Sequence, residues 1–203
     1  MRHILLLIIT FFIIQNISLA QSPCDVYTST EVVWYGVDFS HSRFVGQFNN
    51  VNEITSYYFK NWNGLFINES EKYNIRKYYR KKSVINELST VEKLNNQVLA
   101  DSLIVYNSYS FKQGEVDQII SAYQTPQTSG IGLVFIVESF DKTKDMGFVY
   151  VTFFDIATKK VLFTEKVTSP AGGIGFRNFW AKSIFMTLEK SNIKKWHKKY
   201  CKK

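Results

Sequence analysis

Apolar and polar positions along the chain follow two different periods. Glu31 to Phe39 carries Val32, Val33, Trp34, Tyr35, Val37 and Phe39, a β-branched and aromatic run that predicts a largely buried strand. From Asn50 to about Phe66 the period changes, with Val51, Ile54, Tyr58, Trp62 and Leu65 three or four residues apart on one helical face. Glu71 to Lys82 fits a further helix with Tyr73 and Tyr78 or Tyr79 inward and its basic residues outward, and Ser83 to Asn86 predicts a short strand. Ser89-Thr90-Val91-Glu92 matches a capping box at the start of a short helix reaching about Leu94. Leu103 to Tyr106 reads as a strand. Val116, Ile119, Ile120 and Tyr123 give the next helix its apolar stripe, which Pro126 to Gly130 ends.

The last third has the strongest pattern. Gly130 to Phe140 is apolar on both parities, as a strand covered on two faces would be. Met146 to Asp155 and Lys160 to Val167 predict two more strands joined by a tight turn. In that turn Asp155 and Thr158 can bond nearby backbone, and Lys159 occupies a position that favours glycine. Gly172, Gly173 and Gly175 then lead into a long final helix with Trp180, Ile184, Phe185 and Leu188 on one face, continued by Ile193 and Trp196. Alternating strands and helices followed by three closely spaced strands predict a single layered α/β domain with a mixed sheet. That sheet is expected to end in a three-stranded antiparallel meander and a long C-terminal helix.

Residues 1–20 read as a cleavable signal peptide. Arg2 and His3 precede an apolar stretch from Ile4 to Ile14, and Ser18-Leu19-Ala20 predicts cleavage before Gln21. That stretch is about eleven residues, against the roughly twenty that span a bilayer. Gln21-Ser22-Pro23 lacks the small residues of a lipoprotein signal, so a lipid anchor on Cys24 is not expected. Residues 21–30 form an N-terminal extension and 31–200 the domain, large enough for one core. The expected location is secreted or periplasmic, with no membrane span once the leader is removed. Cys24 and Cys201 stand at opposite ends of the mature chain, either as a disulfide, which an oxidising compartment permits, or as two free thiols.

Composition narrows the function classes. Hydrophobic residues make up 45% and aromatics 16%, which excludes a disordered chain. The formal charge of +8 is uneven: Arg76, Lys77, Arg80, Lys81 and Lys82 form one cluster, and Lys190, Lys194, Lys195, Lys198, Lys199, Lys202 and Lys203 another. Such clusters either attract acidic glycan, lipid headgroups or nucleic acid, or simply solvate a surface. Asp38, Ser40 and His41 have the residue types of a nucleophilic triad, but neighbours on one strand end do not converge. A Gly-x-Ser-x-Gly elbow, metal-ligand spacing and nucleotide loops are all missing, so neither a cofactor nor a metal is expected. Glu138 and Asp155 are a conceivable carboxylate pair for glycoside hydrolysis, although the turn already employs Asp155 and Glu138 near a strand end can reach solvent or Lys142. Gly172-Gly173-Ile174-Gly175-Phe176-Arg177-Asn178 either offers backbone amides and Arg177 to an anion, or turns the strand into a helix capped by Asn178. Trp34, Tyr35, Trp62, Phe176, Phe179 and Trp180 could present an aromatic surface, but core packing explains them more simply.

Two stretches carry a resemblance. Gly132 to Val137 and Val151 to Leu162, with the helix starting near Asn178, resemble the closing part of the CsgG/LpoB-type α/β domain of the cell envelope over residues 130–188. Lys159 replaces the glycine of that domain's Asp-x-x-Thr-Gly turn. Trp34 to Ser40 is similar to the Trp-Tyr-Gly-x-Asp-Phe-Ser start of small secreted cell-envelope proteins. The resemblance implies a non-enzymatic envelope component that binds another macromolecule. The partner is then another envelope protein. The resemblance carries over no site residue; on their own chemistry, Glu138, Gly172, Gly173, Gly175, Arg177 and Asn178 are the candidate contacts. An anionic surface is the alternative.

Overall fold

A computed structural model describes residues 21–201; the expected signal peptide, Lys202 and Lys203 lie outside the described residues. The chain runs through α1 (Asp25–Thr28), β1 (Glu31–Asp38) and β2 (Arg43–Val45), then α2 (Val51–Glu53), a π-helical turn (Ile54–Tyr58) and α3 (Phe59–Asn68). Short elements follow: α4 (Ile75–Tyr78), β3 (Ser83–Asn86), α5 (Ser89–Asn95), α6 (Ala100–Leu103), β4 (Ile104–Val105) and α7 (Glu115–Ser121). The last third holds β5 (Ile131–Asp141), β6 (Met146–Asp155), β7 (Val161–Pro170), α8 (Phe176–Lys190) and α9 (Ile193–Cys201).

The expected mixed sheet closing in a meander is corrected by the strand pairing. The core of the sheet is the path β3-β1-β5-β2-β4, and every pairing along it is parallel. The result is an α/β protein with a curled sheet of mostly parallel strands. Antiparallel pairing is confined to the side where β6 joins β5 and β7 joins β6. β1 and β2 lie along the same edge of β5, at Gly132–Ile136 and Ser139–Asp141 respectively, as one strand interrupted at residues 39–42. The apolar pattern missed this because β2 has only 3 residues, too few to display alternation, while β4 falls inside the strand expected from Leu103 to Tyr106.

Alternation along β5 builds two cores. Leu133, Phe135 and Val137 face a large cluster with Trp62 of α3, Trp180 and Ile184 of α8, and Trp196 of α9. Val134 and Ile136 face the smaller one, with Val91 of α5 and Val116, Ile119 and Ile120 of α7. The aromatics considered as a surface are core: Trp34, Tyr35, Trp62 and Trp180 are buried, with Phe176 and Phe179 packed against them.

Several local expectations change. The long final helix is two helices, because the chain leaves helical geometry at Ser191, and α9 starts afresh at Ile193. The helix over Glu71 to Lys82 shrinks to α4, whose N-cap Asn74 accepts from the Lys77 amide at 2.9 Å. The expected capping box is not formed by Ser89. Glu87 instead accepts from the Ser89 amide, the Ser89 hydroxyl and the Thr90 hydroxyl. The turn from Asp155 does form: Asp155 Oδ1 accepts from the Ala157 and Thr158 amides, and Lys159 holds a left-handed φ of +58°.

Candidate functional site

The residue types that suggested chemistry are held at the strand ends by folding bonds. Asp38 closes β1 and is buried. Its carboxylate accepts from the Tyr123 hydroxyl at 2.5 Å and from the Ser40 amide at 2.7 Å. Burial, and then the Asp38 charge, push the Tyr123 phenol far above its usual range. Ser40 Oγ and His41 Nδ1 lie 2.9 Å apart at the surface, and no hydrogen bond joins Asp38 to His41. The three are brought close, but the carboxylate orients a tyrosine and a turn instead of the imidazole.

Glu138, expected near the surface, is buried at the irregularity where β5 shifts register against β6. Its Oε2 lies 2.5 Å from Lys166 Nζ, while Oε1 accepts from the Phe111 amide at 2.9 Å and the Tyr150 hydroxyl at 3.3 Å. Burial, reinforced by that carboxylate, pushes the Tyr150 phenol up to about 12. Phe111 stacks on Tyr150 at 5.5 Å, so Glu138 pins the connection before α7 onto the sheet. The partner is Lys166 on β7, not Lys142, whose ammonium bonds the Gln47 carbonyl.

The glycine segment serves as a connector. Gly172, Gly173 and Gly175 have φ of +150°, +115° and +81°, all in the region that favours glycine. The Gly172 amide donates to the Phe179 carbonyl, Arg177 pairs with Glu69 at 3.3 Å, and the Asn178 side chain donates to the Ile174 carbonyl. Gly175 stands at the N-cap of α8, so Asn178 lies within the helix.

The two cysteines come together. Cys24, just before α1, and Cys201, at the end of α9, form a disulfide with their Cα atoms 5.4 Å apart. The sequence left a bridge and two free thiols equally open; in the fold, Tyr27 packs against His197 and Phe163, and Val26 shares a core with Ile193 and Trp196, which brings α1 beside α9. Members of both basic clusters meet near the staple. A cavity of about 350 Å³ opens between α1, α4 and α9, and Arg80 from the first cluster and Lys194 and Lys198 from the second line it. His197, Tyr27 and Tyr79 complete most of the wall. None of the three cations forms an ion pair with a described residue.

The remaining cluster members divide. Arg76, Lys77, Lys82 and Lys195 are exposed, and Lys199 is held by Glu165 at 2.8 Å. Lys81 contradicts its expected outward placement. It is buried, and its ammonium donates to the Val26 and Ser29 carbonyls that α1 leaves free. Burial pulls its pKa down to about 8.

Among the described residues no helix is long and apolar enough to cross a membrane, and no three His, Cys, Asp or Glu side chains group as a metal site. Models of protein families, curated proteins and solved structures provide no match to this chain.

Proposed function

We propose that this protein is a non-enzymatic binding module that works in a secreted or periplasmic space, engaging an envelope partner through its surface. One observation carries the reading: the acidic groups at the strand ends are used up by folding bonds, whereas a cationic face is left available. Asp38 and Glu138 accept from tyrosines and backbone, and Asp155 builds a turn. A general acid or base would need a carboxylate free to reach substrate. The disulfide supports an oxidising compartment, as the leader-like residues 1–20 do. The resemblance of residues 130–188 to the CsgG/LpoB-type domain points to the same class of envelope component.

Crosslinking the protein in intact cells of its host, followed by identification of its neighbours, tests the proposal. Recovery with other envelope components is the expected result. Recovery with cytosolic proteins, on a chain still beginning at Met1, would overturn it, as would turnover of any ester, glycoside or peptide in a substrate panel.

A second reading, an anion-binding envelope protein, is favoured by the convergence of Arg80, Lys194 and Lys198 on one cavity. Retention on immobilised acidic glycan, anionic lipid or nucleic acid should then fall steeply between low and physiological salt. Retention that does not respond to salt counts against it.

A further inference from the structure

We infer that the cavity between α1, α4 and α9 binds a phosphate group carried on a small organic body; this inference rests on the anion-binding reading above. Its wall contains no carboxylate, so nothing within it competes for the three cations. Arg80 is presented from a left-handed backbone position, φ +55°, just beyond α4, while Lys194 and Lys198 project from one face of α9 four residues apart. A phosphate ester supplies several acceptor oxygens and up to two negative charges, which suits one guanidinium fork and two ammonium groups.

The rest of the wall selects the body. Val26 and Ile193 are buried apolar residues, and the rings of Tyr27 and His197 stand 4.6 Å apart beside them. A volume of about 350 Å³ falls in the range of small-ligand sites. A polynucleotide would instead need a track of cations and stacking rings along its backbone. Here Lys199 is diverted to Glu165 and Lys81 is turned into the protein, which removes two cations from any such track.

The test uses the full mature chain at low ionic strength with inorganic phosphate, glycerol phosphate, and vesicles of phosphatidylcholine with or without phosphatidylglycerol. Calorimetry and the ring signals of His197 are the two readouts. We expect saturable binding of glycerol phosphate, tighter than inorganic phosphate, with the His197 signals moving at the same midpoint. The variant Arg80→Gln, Lys194→Gln, Lys198→Gln should bind at least about tenfold more weakly. The variant Lys60→Gln, Lys93→Gln, Lys182→Gln removes the same charge from exposed positions elsewhere and should change affinity less than about twofold. Binding to phosphatidylglycerol vesicles that glycerol phosphate displaces assigns a lipid headgroup; binding of glycerol phosphate with no vesicle retention assigns a soluble ester. Equal losses in the two variants, or a static His197 signal in the wild type, overturn the cavity while leaving the anion-binding reading standing. Wild-type protein that no polyanion matrix retains in a salt-sensitive way overturns that reading itself.

Discussion

Gly36 marks the point where β1 shifts register against β5, and its φ of +98° is one that L side chains rarely adopt. A Cβ there would also lie 2.4 Å from Asn63 Oδ1 and 2.9 Å from Leu88. Gly36→Ala therefore meets backbone strain and a packed polar contact together, and should destabilise the protein by about 2–3 kcal/mol. Denaturant unfolding measures this, and a loss below about 0.5 kcal/mol would show that the local geometry differs. Lys81 makes the residue-scale prediction in pH. Its folded pKa of about 8 lies below the usual 10.5, so the unfolded chain binds the extra proton between those values. Stability from this group is thus fully present above pH 10.5 and is lost as pH falls toward 8. Tyrosines act in the opposite sense. Burial raises Tyr73, Tyr78 and Tyr150 to about 12 in the fold, so their contribution is complete below pH 10 and disappears as pH climbs through 12. Chemical unfolding across pH 7–12 should rise and then fall, and Lys81→Met should remove the rise while keeping the fall.

At the scale of elements, the edge of β1 beyond Trp34 depends on two asparagines. β3 pairs with β1 only from Glu31 to Trp34, which leaves the Val37 and Phe39 backbone without a strand on that side. Asn63 from α3 both accepts from the Val37 amide and donates to its carbonyl, at 2.7 and 2.9 Å. Asn95 from α5 accepts from the Phe39 amide at 2.7 Å and donates to the Val37 carbonyl at 3.0 Å. Both side chains are buried, so Asn95→Ala strands polar backbone away from water and should cost about 2–3 kcal/mol. Faster amide exchange at Phe39 than at Leu133 should accompany the loss, and a neutral substitution would refute the role. This pairing also shows what the sequence could and could not reveal. Long elements declared themselves, because burial on one or two faces leaves a period: β1, β5 and β6 fall within a residue of their apolar patterns, the helix expected from Asn50 to about Phe66 is shared by α2, the π-helical turn and α3, and β7 runs three residues past Val167. β4 lies within the strand expected from Leu103 to Tyr106, but β2 is too short to leave a period, and without it the parallel body of the sheet was not visible. Asn63 and Asn95 carry no local signature either, since their partners are distant backbone groups. Glu138 looked free for the same reason: Lys166, Tyr150 and Phe111 approach it only through tertiary structure.

For the whole molecule, the decisive link is Cys24–Cys201, because it joins the ends of the described chain across a separation of 177. In the loop-closure account a cross-link this long removes denatured-state entropy worth roughly 4–5 kcal/mol. The double variant Cys24→Ser, Cys201→Ser should lose a few kcal/mol by denaturant unfolding, most of it through the unfolded state. Its folded consequences should be local. α1 has only four residues, and apart from the disulfide it is held by Lys81 and by Tyr27 packing on His197 and Phe163. β5 and β6, by contrast, pair along ten residues between two cores. Amide exchange should therefore accelerate in α1 and α9 while β5 and β6 keep protection in proportion to global stability. The basic cavity spans those two loosened helices, so any anion binding there should weaken in the same variant even at temperatures where it remains folded. Uniform acceleration across the sheet, or unchanged exchange in α9, would mean that the bridge staples nothing beyond the unfolded chain.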